Sequence, residues 1–445
     1  MNSKGSPQNN WRVYQDCMLR RDRRKRLWGR LPWLVLSSTC VILLVLLLIH
    51  GGNRILIHLS EASYAPPNSE EKPIPPEKGS DLQELWPLIS HHFDHFGDLK
   101  NHFSVENDNT LLTVKTTLNP GLQNYIYRIL KSSKTEMAAV VVMNPEDGRI
   151  LAMVSHRKNE DGGGNLCLDA DFPAASLFKI VSAAAAFEKT NYTPNKLVGF
   201  QGEAHTLYKR QLTKKTNRFT TKVKFRQAFA QSINPVFGKL GIYALGRGIV
   251  LDYARKFFFN CQIPLNFPLS PSTVDVPEDR YELAELTCGF NRNTLISPLH
   301  AAMLASAVAN KGVVMKPWIV REITRETGSI YQARTSVLGT PIKPTTARKL
   351  QILMEDTVRY GTSRKSFWRM RRKKMFRSID IGAKTGTIND RSERYKYDWI
   401  TAYAMPRDGS SGISLAVLEV HGKILGTRSR EIARAIINYT VRSKS

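Results

Sequence analysis

Two stretches of the chain carry nearly unbroken apolar and β-branched residues around a short polar break. "MAAVVVMNPEDGRILAMVSH", residues 137–156, turns on "NPEDG" with Gly148 in the turn, and "DWITAYAMPRDGSSGISLAVLEV", residues 398–420, turns on "PRDGSSG". Both patterns predict β-hairpins. Between and after them the apolar residues recur with a helical period, in "KFRQAFAQSINPVFGKLGIYAL", "SPLHAAMLASAVANKG" and the terminal "REIARAIINYTV". Nearer the start, "DLQELWPLISHHFDHF" predicts a short amphipathic helix interrupted at Pro87; its His91 and His95 are spaced i, i+4 but lack a carboxylate or cysteine cluster, so they read as a surface histidine face. Strands at both ends with helices between predict an α+β domain of roughly 300 residues, one antiparallel sheet with helices on its faces. No internal repeat is visible.

One apolar run has a different length. Residues 33–49, "WLVLSSTCVILLVLLLI", hold no charge and, with Leu31 and Pro32, approach the roughly 30 Å of a bilayer core. The thirty residues before it carry nine Lys/Arg against two Asp, so the head is expected to stay in the cytoplasm and the rest to lie outside. A cleaved signal peptide fits less well, because the basic head is long and "IHGGN" lacks a small-residue cleavage site. Residues 65–80, "APPNSEEKPIPPEKGS", with five prolines, read as a semi-extended tether. The expected organisation is a basic tail (1–30), a transmembrane anchor (31–50), a Pro-rich linker (51–80), a short juxtamembrane segment (81–136) and a catalytic domain (137–445).

The net charge is +27, of which the head supplies +7, leaving +20 for the exported part. Such an excess points to an anionic neighbour, lipid head groups or a wall polymer, and not to nucleic acid, for which no motif is present. Cys167, Cys261 and Cys288 fall in the exported part; an odd number excludes a full disulfide framework, leaving one pair or buried thiols.

Candidate chemistry starts in "AASLFKIVSAAAAFE", residues 174–188. Pro173 and the following alanines predict a helix starting near 174 to 176, which would put Ser176 and Lys179 side by side on its first turn. A lysine entering so apolar a stretch is costly unless paired or deprotonated, and a neutral amine beside a hydroxyl is a general base beside a nucleophile. An isolated S-x-x-K is as readily a helix cap with a snorkelling lysine, so the motif needs companions. Two exist. Ser232 and Asn234 form an S-x-N in "QSINPVF", where Pro235 should break the local helix and leave both in a loop; "IGAKTGTIND" offers Lys384, Thr385, Gly386 and Thr387 on a strand whose glycine admits a ligand.

S-x-x-K, S-x-N and K-T-G in this order form a known constellation. On these motifs, and on "LTVKTTLNPGLQ", "ISPLHAAMLASAVANKG", "VRYGTSRK" and "DWITAYA", the chain resembles from about residue 111 to 440 the transpeptidase domain of penicillin-binding proteins, nearest the monofunctional class B type. The resemblance implies a five-stranded antiparallel sheet flanked by helices, and acyl transfer on D-alanyl-D-alanine stem peptides of peptidoglycan, with β-lactams acylating the same serine. It implies Ser176 as nucleophile, Lys179 as its base, Ser232 and Lys384 as a proton relay to the leaving amine, Asn234 on the donor peptide's amide, and Thr385, Gly386 and Thr387 around the terminal carboxylate. The backbone N–H groups of Ser176 and Thr387 would form the oxyanion hole. It calls for no cofactor and no metal, and for a site on the outer side of a bacterial cytoplasmic membrane.

Departures from the pattern are a linker too short for the large N-terminal module usual in class B members and the lack of a glycosyltransferase domain, which puts cell-wall synthesis partners in doubt. A D,D-carboxypeptidase or serine β-lactamase of the same fold is the alternative, although no E-x-x-L-N motif is present; a non-catalytic β-lactam sensor ranks lower. The segment 364–377, "RKSFWRMRRKKMFR", precedes the K-T-G strand with eight cations and no acid: Arg364, Lys365, Arg369, Arg371, Arg372, Lys373, Lys374 and Arg377. They read either as a solvated loop or as a grip on anionic lipid heads or the pyrophosphate of a lipid-linked precursor.

Overall fold

The computed structural model describes residues 82–93, 101–107, 110–158, 164–265 and 269–443. The basic head, the apolar run at 33–49, the Pro-rich tether and His95 lie outside these residues. Among the described residues, no helix is long and apolar enough to cross a membrane. The chain divides into Met1–Glu77 and a compact unit, Lys78–Ser445, which carries the strands, the helices and the candidate site.

In chain order the main strands of this unit are β1 (His102–Asn107), β2 (Thr110–Thr116), β3 (Met137–Met143), β4 (Ile150–Arg157), β5 (Val320–Arg325), β6 (Gly328–Gln332), β7 (Ile379–Asn389), β8 (Lys396–Pro406) and β9 (Ile413–His421). Five of them form one antiparallel sheet in the order β7-β8-β9-β3-β4. Both hairpins read from the apolar runs are present, and Gly148 has φ +82°, as the turn requires. The runs are continuous because the sheet is covered on both sides; β9 is buried at every position. On one face, Val140, Ala402 and Val417 meet the helices Pro120–Lys131 and Ser429–Arg442; on the other, Val141, Trp399 and Leu418 join the core of the central helices.

The single sheet read from the sequence is not the whole of it. A four-stranded antiparallel sheet, β1-β2-β5-β6, pairs Val114 with Ile323, a register that no local pattern reveals. Segments far apart in the chain therefore meet in one unit.

The eleven described α-helices are α1 (Leu82–Ile89), α2 (Pro120–Lys131), α3 (Lys179–Lys189), α4 (Phe225–Ala230), α5 (Asn234–Leu240), α6 (Gly246–Lys256), α7 (Arg280–Cys288), α8 (Pro298–Ala309), α9 (Pro344–Arg359), α10 (Arg364–Arg371) and α11 (Ser429–Arg442). Pro87 does not interrupt α1, which continues through it to Ile89 before tightening into a 3-10 turn. As the sixth of eight residues the proline forfeits one intrahelical hydrogen bond, close to where the helix ends. Pro235, by contrast, occupies the first turn of α5, where a missing N–H costs nothing, so Asn234 opens a helix instead of lying in a loop. Cys167, Cys261 and Cys288 are all free thiols, with Cys167 and Cys288 buried.

Candidate active site

Ser176 sits in a 3-10 turn, Ala175–Phe178, that leads directly into α3, so the α-helix proper begins at Lys179, later than the sequence suggested. The tighter turn still brings the two side chains together. Lys179 Nζ lies 2.7 Å from Ser176 Oγ. It also donates to Asn234 Oδ1 at 2.8 Å and to the Cys288 carbonyl oxygen at 2.5 Å. The Asn234 amide is oriented by its Nδ2–H, which donates to the His205 carbonyl oxygen at 2.9 Å, leaving its oxygen turned to the lysine.

This environment decides the protonation state. Lys179 is completely buried, and burial pulls its pKa from the usual 10.5 down to about 8. A neutral amine has two hydrogens and one lone pair. Asn234 and the Cys288 carbonyl take the hydrogens, which leaves the lone pair directed at the Ser176 hydroxyl. The Cys288 thiol beside it is pushed up to about 12 by burial and stays neutral. When the lysine is charged, the Phe237 ring face 5.6 Å away softens the penalty.

The other two motifs close the pocket. α4 and α5 are separated by Gln231–Ile233, and Ser232 at the break adopts φ +56°, a left-handed conformation costing about 1–2 kcal/mol for a non-glycine residue. Lys384, also completely buried, donates to Ser232 Oγ at 3.0 Å and to the Thr385 carbonyl oxygen at 2.7 Å. Burial first, and the neighbouring Lys179 second, hold its pKa well below the usual lysine value. Two ammonium groups so placed repel, so one of them ionises at the other's expense. Thr385 is nearly buried and its hydroxyl meets that of Thr362 at 2.6 Å, whereas Thr387 is exposed at the mouth.

β7 is an edge strand, and its unpaired side faces the nucleophile turn. A Cβ on Gly386 would come within 3.2 Å of Ala175 Cβ and 3.3 Å of the Ser176 nitrogen, so the absent side chain lets strand and turn approach. Of the eight sequence-derived residues, Ser176, Lys179 and Asn234 form one hydrogen-bonded group and Ser232, Lys384 and Thr385 a second, while Gly386 packs on the Ser176 turn with Thr387 next to it on the strand.

Several residues that shape it were not found from the sequence. Ala175 has φ +49°, and Gly289 has φ +66° with its Cβ position 1.9 Å from the Ala175 carbonyl oxygen. Only glycine fits there. A glycine closing the helical pattern "RYELAELTCG" is a legible C-cap signal, but what it abuts is not. Trp399 donates its indole N–H to the Pro173 carbonyl oxygen at 2.9 Å, tying the nucleophile turn to the sheet. Phe229 sits 5.5 Å below the Lys384 ammonium.

Comparison with known proteins agrees with this fold. The model of the penicillin binding protein transpeptidase domain matches residues 138–438. The chain belongs to that family. Members similar to it include peptidoglycan D,D-transpeptidase PbpA of Mycobacterium tuberculosis, 25% identical over 370 residues, covering 73% of this chain and 71% of the relative. PbpA of Mycolicibacterium smegmatis is 23% identical over 376 residues, covering 75% and 73%. Among solved penicillin-binding protein structures, the D,D-transpeptidase domain of a peptidoglycan glycosyltransferase from Eggerthella lenta superposes with a TM-score of 0.60 at 22% identity, covering 75% of this chain and 83% of that one. The imipenem acyl-enzyme complex of penicillin-binding protein A from M. tuberculosis gives 0.57 at 24%, covering 73% and 79%.

Proposed function

We propose that this protein is a peptidoglycan D,D-transpeptidase working through a serine acyl-enzyme, and that β-lactams acylate the same serine. The observation that carries it is the Lys179 amine, buried, 2.7 Å from Ser176 Oγ, with two other acceptors already occupying its hydrogens. Relatives named as D,D-transpeptidases support the reaction, and acyl-enzyme complexes of a structural neighbour support the antibiotic chemistry.

In the proposed reaction Ser176 Oγ attacks the carbonyl carbon of the penultimate D-alanine while its proton passes to Lys179 Nζ. The oxyanion is held by the backbone N–H groups of Ser176 and Thr387. The bond to the terminal D-alanine nitrogen then breaks, and that amine leaves with a proton relayed through Ser232, which Lys384 polarises at 3.0 Å. Asn234 holds the donor amide, and Thr385, Gly386 and Thr387 receive the terminal carboxylate beside Lys384. The amine of a second stem peptide attacks the ester, forming the cross-link and returning the hydroxyl of Ser176.

The basic head followed by the apolar run at 33–49 supports a single-pass anchor in a bacterial cytoplasmic membrane, with the catalytic unit on its outer side. Intact-mass measurement after benzylpenicillin tests the acyl-enzyme. Wild type should gain one antibiotic mass, and Ser176→Ala none; labelling of the alanine variant would refute the assignment. Product analysis with wall precursors should then show an amine, not water, taking the acyl group.

A further inference from the structure

The segment 364–377 has no task in acyl transfer, yet it is firmly built. α10 and the following 3-10 turn, Lys374–Phe376, drive Phe367, Met370 and Phe376 into the core shared with Ile381, Ala383 and Ile436, each of the three 3% exposed or less. The opposite face is cationic: Lys365, Arg369, Arg372, Lys373, Lys374 and Arg377 are exposed, as is Arg364 at the start. Among the described residues none of these seven is within ion-pair distance of a carboxylate; the one acid that shares their surface, Glu431, lines a pocket with Lys365 and Arg369 without pairing either, and Glu355 and Asp380 are engaged by Arg359 and Arg407. Arg371 alone turns inward, where burial and Arg359 depress its pKa. A folded element that concentrates charge without ion pairs on a rigid face carries a self-repulsion that an anionic partner relieves.

The aromatic residues decide which partner. Trp368 stands among the cations, 46% exposed, with the Arg372 guanidinium 4.7 Å above its ring. Tyr360, 69% exposed, lies just before the segment and is close enough to raise the pKa of Arg371. A soluble polyanion needs only the charges. An amphipathic ring held outward between arginines and lysines is the arrangement that suits a bilayer interface, where the ring enters at head-group depth and the long cations reach phosphates around it.

We infer that the 364–377 face docks on the surface of an anionic phospholipid bilayer. Such docking would hold the cleft beside the lipid independently of any anchor in 33–49. The segment begins two residues after Thr362, whose hydroxyl bonds Thr385, and β7 emerges from its far end. It therefore presents the strand bearing Lys384 to Thr387 at a fixed height from the lipid. This goes beyond the acyl-transfer reading and is independent of it.

Flotation of residues 78–445, the compact unit, tests it with vesicles of phosphatidylcholine alone or with phosphatidylglycerol added. The unit should float with the anionic vesicles only, and less as salt rises. At about 1 kcal/mol per cation, or roughly fivefold, the variant Arg369→Gln, Arg372→Gln, Lys373→Gln, Lys374→Gln should lose on the order of several hundredfold in partitioning. Trp368→Ala should weaken vesicle binding while leaving binding of soluble polyphosphate unchanged. Equal flotation of the quadruple variant overturns the inference, as does binding of polyphosphate without binding of vesicles, which would make a wall polymer the partner. Fluorescent penicillin labelling of every variant, read in parallel, reports an intact fold and lets the acyl-transfer reading fail separately.

Discussion

Lys179 owes its chemistry to what surrounds it. Complete burial removes the water that would hold its proton, and the fixed acceptors Asn234 Oδ1 and Cys288 O orient what remains. Acylation needs the deprotonated amine, so its rate should rise with pH, roughly tenfold per unit, and level off above the pKa of about 8. Asn234→Asp would place a carboxylate 2.8 Å from the amine. An opposite charge favours the ammonium, so the plateau should move to higher pH and the rate near neutrality should fall. A stopped-flow acylation profile of the two proteins checks this. Lys179→Arg keeps the charge but cannot lose its proton, and should slow acylation by about 100-fold or more. The pairing of Ser176 with Lys179 was legible because it is local, three residues on one turn. The carbonyl of Cys288 and the rings of Phe229 and Phe237 were not, because backbone acceptors and ring faces leave no motif.

At the scale of elements, the site depends on close approach between pieces distant in the chain. Gly289 ends α7 in the left-handed conformation with its Cβ position 1.9 Å from the Ala175 carbonyl oxygen. Gly289→Ala should cost more than the ~1–2 kcal/mol of the backbone conformation alone, since the nucleophile turn must also move. The expected result is a lowered Tm together with a slower acylation. Elsewhere, Glu419 on β9 is buried completely, and that burial, with a smaller contribution from Asp398 opposite it on β8, raises its pKa well above the usual carboxyl value. The folded state thus holds a proton that the unfolded chain gives up as pH passes about 4.5, so this group's contribution worsens as pH rises toward its folded value. Glu419→Gln should therefore raise Tm at neutral pH and change it little near pH 4, as thermal unfolding at both pH values would show. Both hairpins and the helices around the motifs were visible in the apolar patterns. The four-stranded sheet was not, because Val114 pairs with Ile323 across roughly two hundred intervening residues.

For the molecule as a whole, residues 78–445 hold both cores and the entire cleft. The separated unit should fold cooperatively and be acylated by penicillin at the rate of the full chain; a truncated protein that failed to label would show that residues 1–77 complete the site. Net charge alone indicated an anionic neighbour, but not that six cations and Trp368 share one rigid face. That became apparent only once Phe367, Met370 and Phe376 were seen to point the other way.

The proton transfer from Ser176 to Lys179 is open to a single kinetic experiment: the second-order rate constant for acylation of the 78–445 unit by benzylpenicillin, from about pH 6 to about pH 10, in wild type and Lys179→Met. The wild-type rate should climb to a plateau set by a group near 8, and the methionine variant should be slow and independent of pH. A flat wild-type profile, or a methionine variant acylated at the wild-type rate, would contradict it.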